Sequence, residues 1–399
     1  MQEAYIVAAA RTGGGRKGGR LSGWHPADLA AQILDALVDR AHAPPDAIDD
    51  VIMGCVSQVG EQGFNIARNA VLSSRLPESV PGTSVDRQCG SSQQAIHFAA
   101  QAVMSGTMDV VIAAGVESMT RVPMGLSVAL PKQHGFGFYV GSRMGARYPD
   151  VEFSQFAGAE MLARKYDLSK DELDAFALTS HTLAAAATRE GAFSHEIVPV
   201  EIRRAPGTQP PGGDEAPGDL HTLDEGIRFD ASLAAIRGVK LLAENGRVTA
   251  ATSSQVCDGA AGVMIVNERG LKKLGVEPLA RIHHMSVMGH DPVVMLEAPL
   301  PATQRALRLA GMKIDDIGLY EVNEAFAPVP LAWVKAVGAD PARLNVHGGA
   351  IALGHPLGGS GAKLMTTLVH ALRRHGRRYG LQTMCEGGGM ANVTIIERL

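Results

Sequence analysis

From Ala4 to Val116 short apolar runs alternate with longer stretches whose apolar residues recur every three to four positions, the pattern of a sheet covered by helices. Tyr5–Ala9, Val51–Cys55, Thr83–Asp86 and Val110–Ala114 read as strands. Between them His25–Ala43 carries Leu29, Ile33 and Leu37 at helical spacing, and Pro26 suits a first turn, where no backbone N–H is needed. Ser91–Met104 reads as a helix whose inner face is expected to hold Ala95, Phe98, Ala102 and Val103.

The alternation stops near Thr120 and returns after Val248. In between, Pro, Gly and charge are scattered, Lys170–Glu190 stands out as helical, and Pro206–Pro217 is the clearest loop. Such an interruption predicts a long insertion that carries binding surface on a rigid scaffold. Val263–Val266 then reads as a strand, and from Ala280 the order of the first part recurs. Strand Arg281–Ser286, helix Pro301–Ala310, strand Ile317–Val322, helix Leu331–Val337 and strand Leu344–Val346 lead to helix Ser360–His375 and the strands Gly380–Cys385 and Val393–Ile396. The repeat is one of element order rather than of shared letters, and it predicts two copies of one αβ unit.

Composition narrows the setting. A chain of 399 residues exceeds one ordinary core and predicts two linked domains. With 46% hydrophobic and 20% charged residues the chain is neither disordered nor fibrous. A net charge of -4 excludes a general affinity for nucleic acid or anionic membrane, so any anion site has to be local. No apolar run is long enough to span a bilayer, and Met1–Arg11 lacks a basic leader and a cleavage signal. Cys55, Cys89, Cys257 and Cys385 lie far apart, without the spacing of a zinc knuckle or a disulfide framework. These features predict a reducing, cytoplasmic setting.

Four segments carry candidate chemistry. Ser84-Val-Asp-Arg-Gln-Cys89-Gly-Ser-Ser puts a cysteine between a strand and a helix, where unpaired amides and the helix dipole favour a thiolate. Position alone leaves it either a nucleophile or a buried structural cysteine. His347-Gly-Gly-Ala-Ile-Ala-Leu-Gly354-His355-Pro-Leu-Gly-Gly-Ser-Gly361 sets His355 among six glycines ahead of a helix, where backbone must turn tightly and approach a ligand. That placement makes His355 a candidate base, while His347, His370 and His375 fit ordinary core or surface roles. Cys385-Glu-Gly387-Gly-Gly-Met390 is either a plain strand-to-strand turn or a cysteine acid beside amides that can bind an oxyanion. Glu321-Val-Asn323-Glu324-Ala-Phe326 ends an apolar strand with an amide able to fix a water or a carbonyl oxygen. Its Glu324 either orients a histidine or faces solvent.

In this order, the four segments resemble the thiolase family over nearly the whole chain, with further matching text at Gly115-Val-Glu-Ser-Met-Thr, Asn245-Gly-Arg-Val-Thr-Ala and Ser253-Ser254-Gln-Val-Cys-Asp258. The resemblance implies an α/β protein with the five-layered αβαβα fold of two duplicated halves and an inserted loop domain. Mapped on this chain, the first half is 1–119 plus 248–275, the insertion 120–247 and the second half 276–399. It also implies an acetyl-CoA C-acyltransferase that cleaves 3-oxoacyl-CoA with coenzyme A, or runs the reverse Claisen condensation, by ping-pong chemistry through an acyl-Cys89 intermediate. His355 would take the thiol proton of Cys89, and Cys385 would serve as acid and base at the enolate. Asn323, through a water, would join His355 at one oxyanion, and the amides of Cys89 and Gly387 would serve the other. Arg228 would hold the phosphate-bearing end of coenzyme A and Ser254 its pantetheine arm. The partners implied are small-molecule CoA thioesters and other copies of the chain, as a homodimer or homotetramer. No metal and no permanently bound cofactor is implied.

Some text departs from the family pattern. Ser154-Gln155-Phe156 stands where many acetoacetyl-CoA-specific members carry His-Met-Gly, and Ser253-Ser254-Gln255 replaces Ala-Ser-Gly. Both point toward a degradative enzyme of broad, bulky or branched acyl preference. Met390-Ala391-Asn392 replaces Met-Gly without removing a candidate group. The alternatives are an acetoacetyl-CoA-specific acetyl-CoA C-acetyltransferase and, in another class, a non-catalytic acyl-CoA or lipid-binding protein of the same fold. A decarboxylating condensing enzyme would lack the second cysteine.

Overall fold

A computed structural model describes residues 2–207 and 218–399, so most of the expected Pro206–Pro217 loop lies outside the described residues. The first half runs β1 (Tyr5–Arg11), α1 (Pro26–Arg40), β2 (Asp50–Gly54), α2 (Ile66–Ser73), β3 (Gly82–Val85), α3 (Ser91–Ser105) and β4 (Val110–Ser118). The insertion follows with α4 (Gln155–Lys165) and α5 (Lys170–Arg189), after which β5 (Cys257–Val266) returns to the sheet beside β4. The second half runs β6 (Ala280–Gly289), α6 (Pro299–Ala310), β7 (Leu319–Val322), α7 (Pro328–Val337), α8 (Ser360–Arg374), β8 (Tyr379–Glu386) and β9 (Met390–Arg398).

The strands pair in the order β3-β2-β4-β5-β1 and continue through β6-β9-β8-β7, joined only where Tyr5 and Ile6 meet Arg281 and Ala280. In the first half β2 is parallel to β3 and β4, while β5 is antiparallel to β4 and β1. In the second, β7 is parallel to β8, and β9 is antiparallel to β8 and β6. The expected strand Leu344–Val346, the counterpart of β3, is reduced to one parallel bridge between Leu344 and Tyr320. Asn345 turns out of strand geometry at φ 43°, and its side chain takes up both the N–H and the C=O of Val322.

Three apolar clusters join five layers, the middle one packing the central helices against both sheets. Leu29, Ile33 and Leu37 of α1 pack with Ile66 of α2 on one face of the first sheet, each side chain contributing about 1.5–3 kcal/mol through burial. Ile96 and Val103 of α3 meet Met365 and Leu368 of α8 between the sheets. Leu300 of α6 and Trp333 of α7 cover the far face of the second sheet. Helices on both sides explain why β4 and β5 are buried at every residue instead of alternating.

The middle position of α3 also corrects its expected inner face. Ser91–His97, Ala99, Ala100 and Val103 are buried, whereas Phe98 is 41% exposed on the strip that remains. Polar side chains go inside because the second sheet supplies partners: Gln93 donates to the Gln382 carbonyl and to Thr394.

The insertion is more helical than its sequence suggests. Besides α5, with its Ser169–Glu172 capping box, Ser154 caps α4 and short helices span Leu126–Gln133 and Ser142–Arg147. The last two bury no residue and so carry no apolar period to read. The insertion is pinned to the body through Arg11, fully buried, whose guanidinium meets Glu196 and grips Asp224 with two bonds.

Candidate active site

The parallel strands of both halves end at the same edge of the molecule, and the loops that follow them carry the candidate groups. Gln88 takes a left-handed backbone conformation, φ 49°, held by a 2.7 Å bond from its N–H to Asp86. That kink sets Cys89 just ahead of α3. Burial pushes the Cys89 thiol up to about 12, and the Glu386 carboxyl adds to the rise. The expectation of an easily ionised thiol is therefore corrected: in the resting site, burial and Glu386 outweigh the bond from the backbone N–H of Cys89.

His355 enters on the loop after the single helical turn Ala350–Leu353 and is anchored by a bond from its N–H to the Gln255 carbonyl. The Ser360 hydroxyl donates to the Pro356 carbonyl at 2.9 Å, so its oxygen accepts from the Nδ1–H of His355. This leaves Nε2 as the unprotonated nitrogen, 3.3 Å from the Asn323 amide nitrogen, which donates to it. Burial, and secondarily Lys363, push the imidazole down to about 3. The resting ring is therefore neutral, and its protonation has to be coupled to charge that forms with substrate in place.

Cys385 is buried at the end of β8, and its thiol is raised first by burial and then by its neighbour Cys89. The turn after it packs on the Cys89 segment: a Cβ on Gly387 would lie 2.9 Å from the Gln88 side-chain oxygen, and one on Gly90 would lie 2.0 Å from Glu386. A side chain at Gly90 would displace Glu386. Cys89, Cys385 and Gly387 thereby come to one place, while the start of α3 also meets the His355 loop, where Ser92 accepts from the Ala362 N–H at 2.9 Å. Ser254 stands beside this cluster, its N–H bonded to the Ala325 carbonyl two residues beyond Asn323. Arg228 is not drawn into the cluster. It is exposed on the insertion, in a loop tied down where Gln255 donates to the Gly226 carbonyl.

Three groups were not singled out from the sequence. Ser360 fixes the histidine tautomer. Glu117, fully buried, accepts from the backbone of Val56, Ser57 and Gly358 and from Gln62, locking the His355 loop to the first half. Burial raises the Glu386 carboxyl to about 8, which Arg87 and the Asn392 backbone offset only in part. Glutamate beside reactive groups in Gly115-Val-Glu117 and Cys385-Glu386 was the available signal. Glu324 neither orients a histidine nor meets solvent: it is buried and accepts from Ser180, Asn345 and the Ile351 N–H. Among the described residues no group of three or more His, Cys, Asp or Glu is gathered as metal ligands would be.

A duplicated αβαβα scaffold with two thiols, an imidazole and an amide gathered at its strand ends defines an acyl-transferring enzyme of the α/β class. Residues 4–269 match the thiolase N-terminal domain and residues 276–398 the thiolase C-terminal domain. The chain belongs to the thiolase family. It is 51% identical to the steroid 3-ketoacyl-CoA thiolase FadA6 of Mycobacterium tuberculosis, across 100% of this chain and 95% of that one. It is 42% identical to a 3-ketoacyl-CoA thiolase of Escherichia coli, across the full length of both. The crystal structure of the Bacillus anthracis acetyl-CoA acetyltransferase superposes with a TM-score of 0.89 at 34% identity, covering 100% of this chain and 99% of the other.

Proposed function

We propose that this thiolase, an acetyl-CoA C-acyltransferase, works through Cys89 as nucleophile, His355 as its base and Cys385 as the second acid and base, on 3-oxoacyl-CoA substrates with bulky acyl groups. The observation that carries the proposal is the tautomer of His355: with Nδ1–H on Ser360, Nε2 is the unprotonated nitrogen, and only the 3.3 Å contact from the Asn323 amide stands against it. The Cys89 proton passes to that nitrogen as sulfur attacks the 3-oxo carbon, so the thiolate forms only with substrate in place. The bond between the second and third carbons breaks, its electrons form the enolate of acetyl-CoA, and Cys385 supplies the proton. Cys385 then takes the proton of an incoming coenzyme A thiol, which collects the acyl group from Cys89. Asn323, through a water, and His355 serve the enolate oxygen, and the amides of Cys89 and Gly387 serve the other oxyanion. Arg228 and Ser254 would bind the phosphate end and the pantetheine arm of coenzyme A, the reacting carrier.

Bulky substrates are supported by the likeness to a steroid thiolase and by Phe156, which starts α4 edge-on to Phe326, 5.6 Å between ring centres, beside the Asn323 loop. The acetoacetyl-specific and non-catalytic alternatives are not favoured by relatives named 3-ketoacyl-CoA thiolase. The same reading divides the chain at 1–119 with 248–275, 120–247 and 276–399, supported by the full pairing of β4 with β5 across the insertion. It places the enzyme in the cytoplasm as a dimer or tetramer. Among the described residues no helix is long and apolar enough to cross a membrane.

Incubation with a 3-oxoacyl-CoA should add one acyl mass to the wild-type chain and none to Cys89→Ala. A thiolysis panel should then give higher kcat/KM for branched or ring-bearing substrates than for acetoacetyl-CoA. Retained turnover in Cys89→Ala defeats the nucleophile assignment, and a marked preference for acetoacetyl-CoA defeats the acyl assignment.

A further inference from the structure

At the end of the molecule away from these groups, a cleft of about 750 Å³ opens beside β1. It exists because β1 gives only Tyr5 and Ile6 to β6, so the edge beyond them is left without a strand on that side. Its polar walls are Arg40 from the end of α1, His195 from the insertion, and His370, Arg373 and Arg374 from the end of α8. No carboxylate lines it. Glu190 pairs with Arg374 of the rim at 3.0 Å, and Glu196, though held by Arg11 at 2.7 Å, also acts on Arg40, which leaves Arg373 and His195 as the wall residues without an acid.

Basic residues at helix C-termini often do no more than meet the helix dipole, and Arg40 does bond the carbonyls of Ala9 and Glu196. That account does not cover the rest. Among the described residues Arg373 and His195 make no ion pair, and the buried Nε2 of His370 has no hydrogen-bond partner. Burial pushes His370 down to about 4 against a backbone contact with Ala9, and Arg40, His195 and Arg373 add to the fall, so the ring is a neutral polar wall beside the arginines. Val7, Ala8 and Leu279 give the cleft an apolar wall as well. Guanidinium groups bind phosphate with paired bonds, and the volume lies in the range of small-ligand sites.

We propose that this cleft is a second anion site, taking a phosphorylated organic molecule of nucleotide size. Ten residues of α8 separate His370 from Ser360, about 15 Å of helix rise, so the cleft is distinct from the active site.

The test is calorimetric titration of the full chain with ADP, inorganic phosphate and adenosine at low ionic strength, where charge contacts are least screened. One ADP per chain should bind, adenosine should not, and phosphate should bind more weakly. The double variant Arg373→Glu/His195→Glu, with melting temperature and thiolysis rates unchanged, should weaken ADP binding at least tenfold. Absence of ADP binding overturns the proposal. So does ADP binding that the double variant leaves intact and that competes with coenzyme A, since this places the ligand in the active site. Phosphate binding as tight as ADP overturns the nucleotide-sized part.

Discussion

The two halves place different side chains at corresponding points of one scaffold. β2 ends at Gly54, level with Gly115 of β4, and β7 ends at Val322, level with Thr383 of β8. One residue past each strand end stand Cys55 and Asn323, and two past each level stand Glu117 and Cys385. In the first half this pair is structural, because Glu117 is saturated by four donors and Cys55 is buried against it. In the second half Asn323 faces His355, and the Cys385 thiol is left without such donors beside Cys89. Duplication supplied two equivalent edges, and the difference between them is chemical. The quiet edge is still needed, since Glu117 holds the Gly358 N–H of the loop that carries His355.

The largest test removes the reactive member of the pair. Cys385→Ala should lower condensation by on the order of 10³-fold, as loss of a general acid and base does, while Cys89 still becomes acylated. An unchanged condensation rate would mean that the two edges are equally inert. Removing the structural member should act on stability first. Glu117→Ala strands three backbone N–H groups and the Gln62 amide in a buried site, so denaturant unfolding should show a loss of about 3 kcal/mol or more. A loss below about 1 kcal/mol, with activity intact, would end the claim that this carboxylate holds the second half's loop.

The fold was legible where periodicity and element order were strong. Helix α1, strands β1, β2 and β4, and the recurrence after Ala280 followed from apolar spacing alone. What escaped depended on surroundings. Phe98 sits at a position that would be internal in a helix covering one sheet, but α3 lies between two. Leu344–Val346 is apolar enough for a strand, yet the Asn345 turn is fixed by long-range bonds to Val322. At the site, residue types announced Cys89, His355, Cys385 and Asn323. The protonation states did not follow, because the helix-end argument for Cys89 is local and the desolvation that opposes it is tertiary. Ser360 was invisible for the same reason, since nothing in a glycine-rich run says which nitrogen of the imidazole it will meet.

Ser360 sharpens the comparison at the histidine, which stands ahead of α8 as Cys89 stands ahead of α3. Ser360→Ala removes the acceptor that fixes Nδ1–H, so both tautomers become available. The expected effect is a fall in kcat of about tenfold to a hundredfold with little change in KM. A rise in KM alone would make Ser360 a binding residue instead.

The smallest effect on activity concerns Glu386, the acid next to Cys385, which faces Arg87, Cys89 and Cys385 and has only the Asn392 backbone and Arg87 to offset its burial. Burial raises its pKa from 4.5 to about 8. Between those values the folded chain keeps a proton that the unfolded chain has released, so this group lowers stability as pH rises through that window and leaves it unaffected below. Glu386→Gln keeps the shape and cannot ionise. The variant should match the wild type near pH 4, gain on it steadily above, and be more stable by at most about 5 kcal/mol past pH 8. Acylation of Cys89 should also hold up better at alkaline pH in the variant, because the carboxylate opposes the thiolate that forms beside it. Thermal melts and single-turnover acylation from pH 5 to 9 read both effects. Parallel curves for the two proteins would show that Glu386 finds a partner in solution, and the contrast with the saturated Glu117 would then disappear.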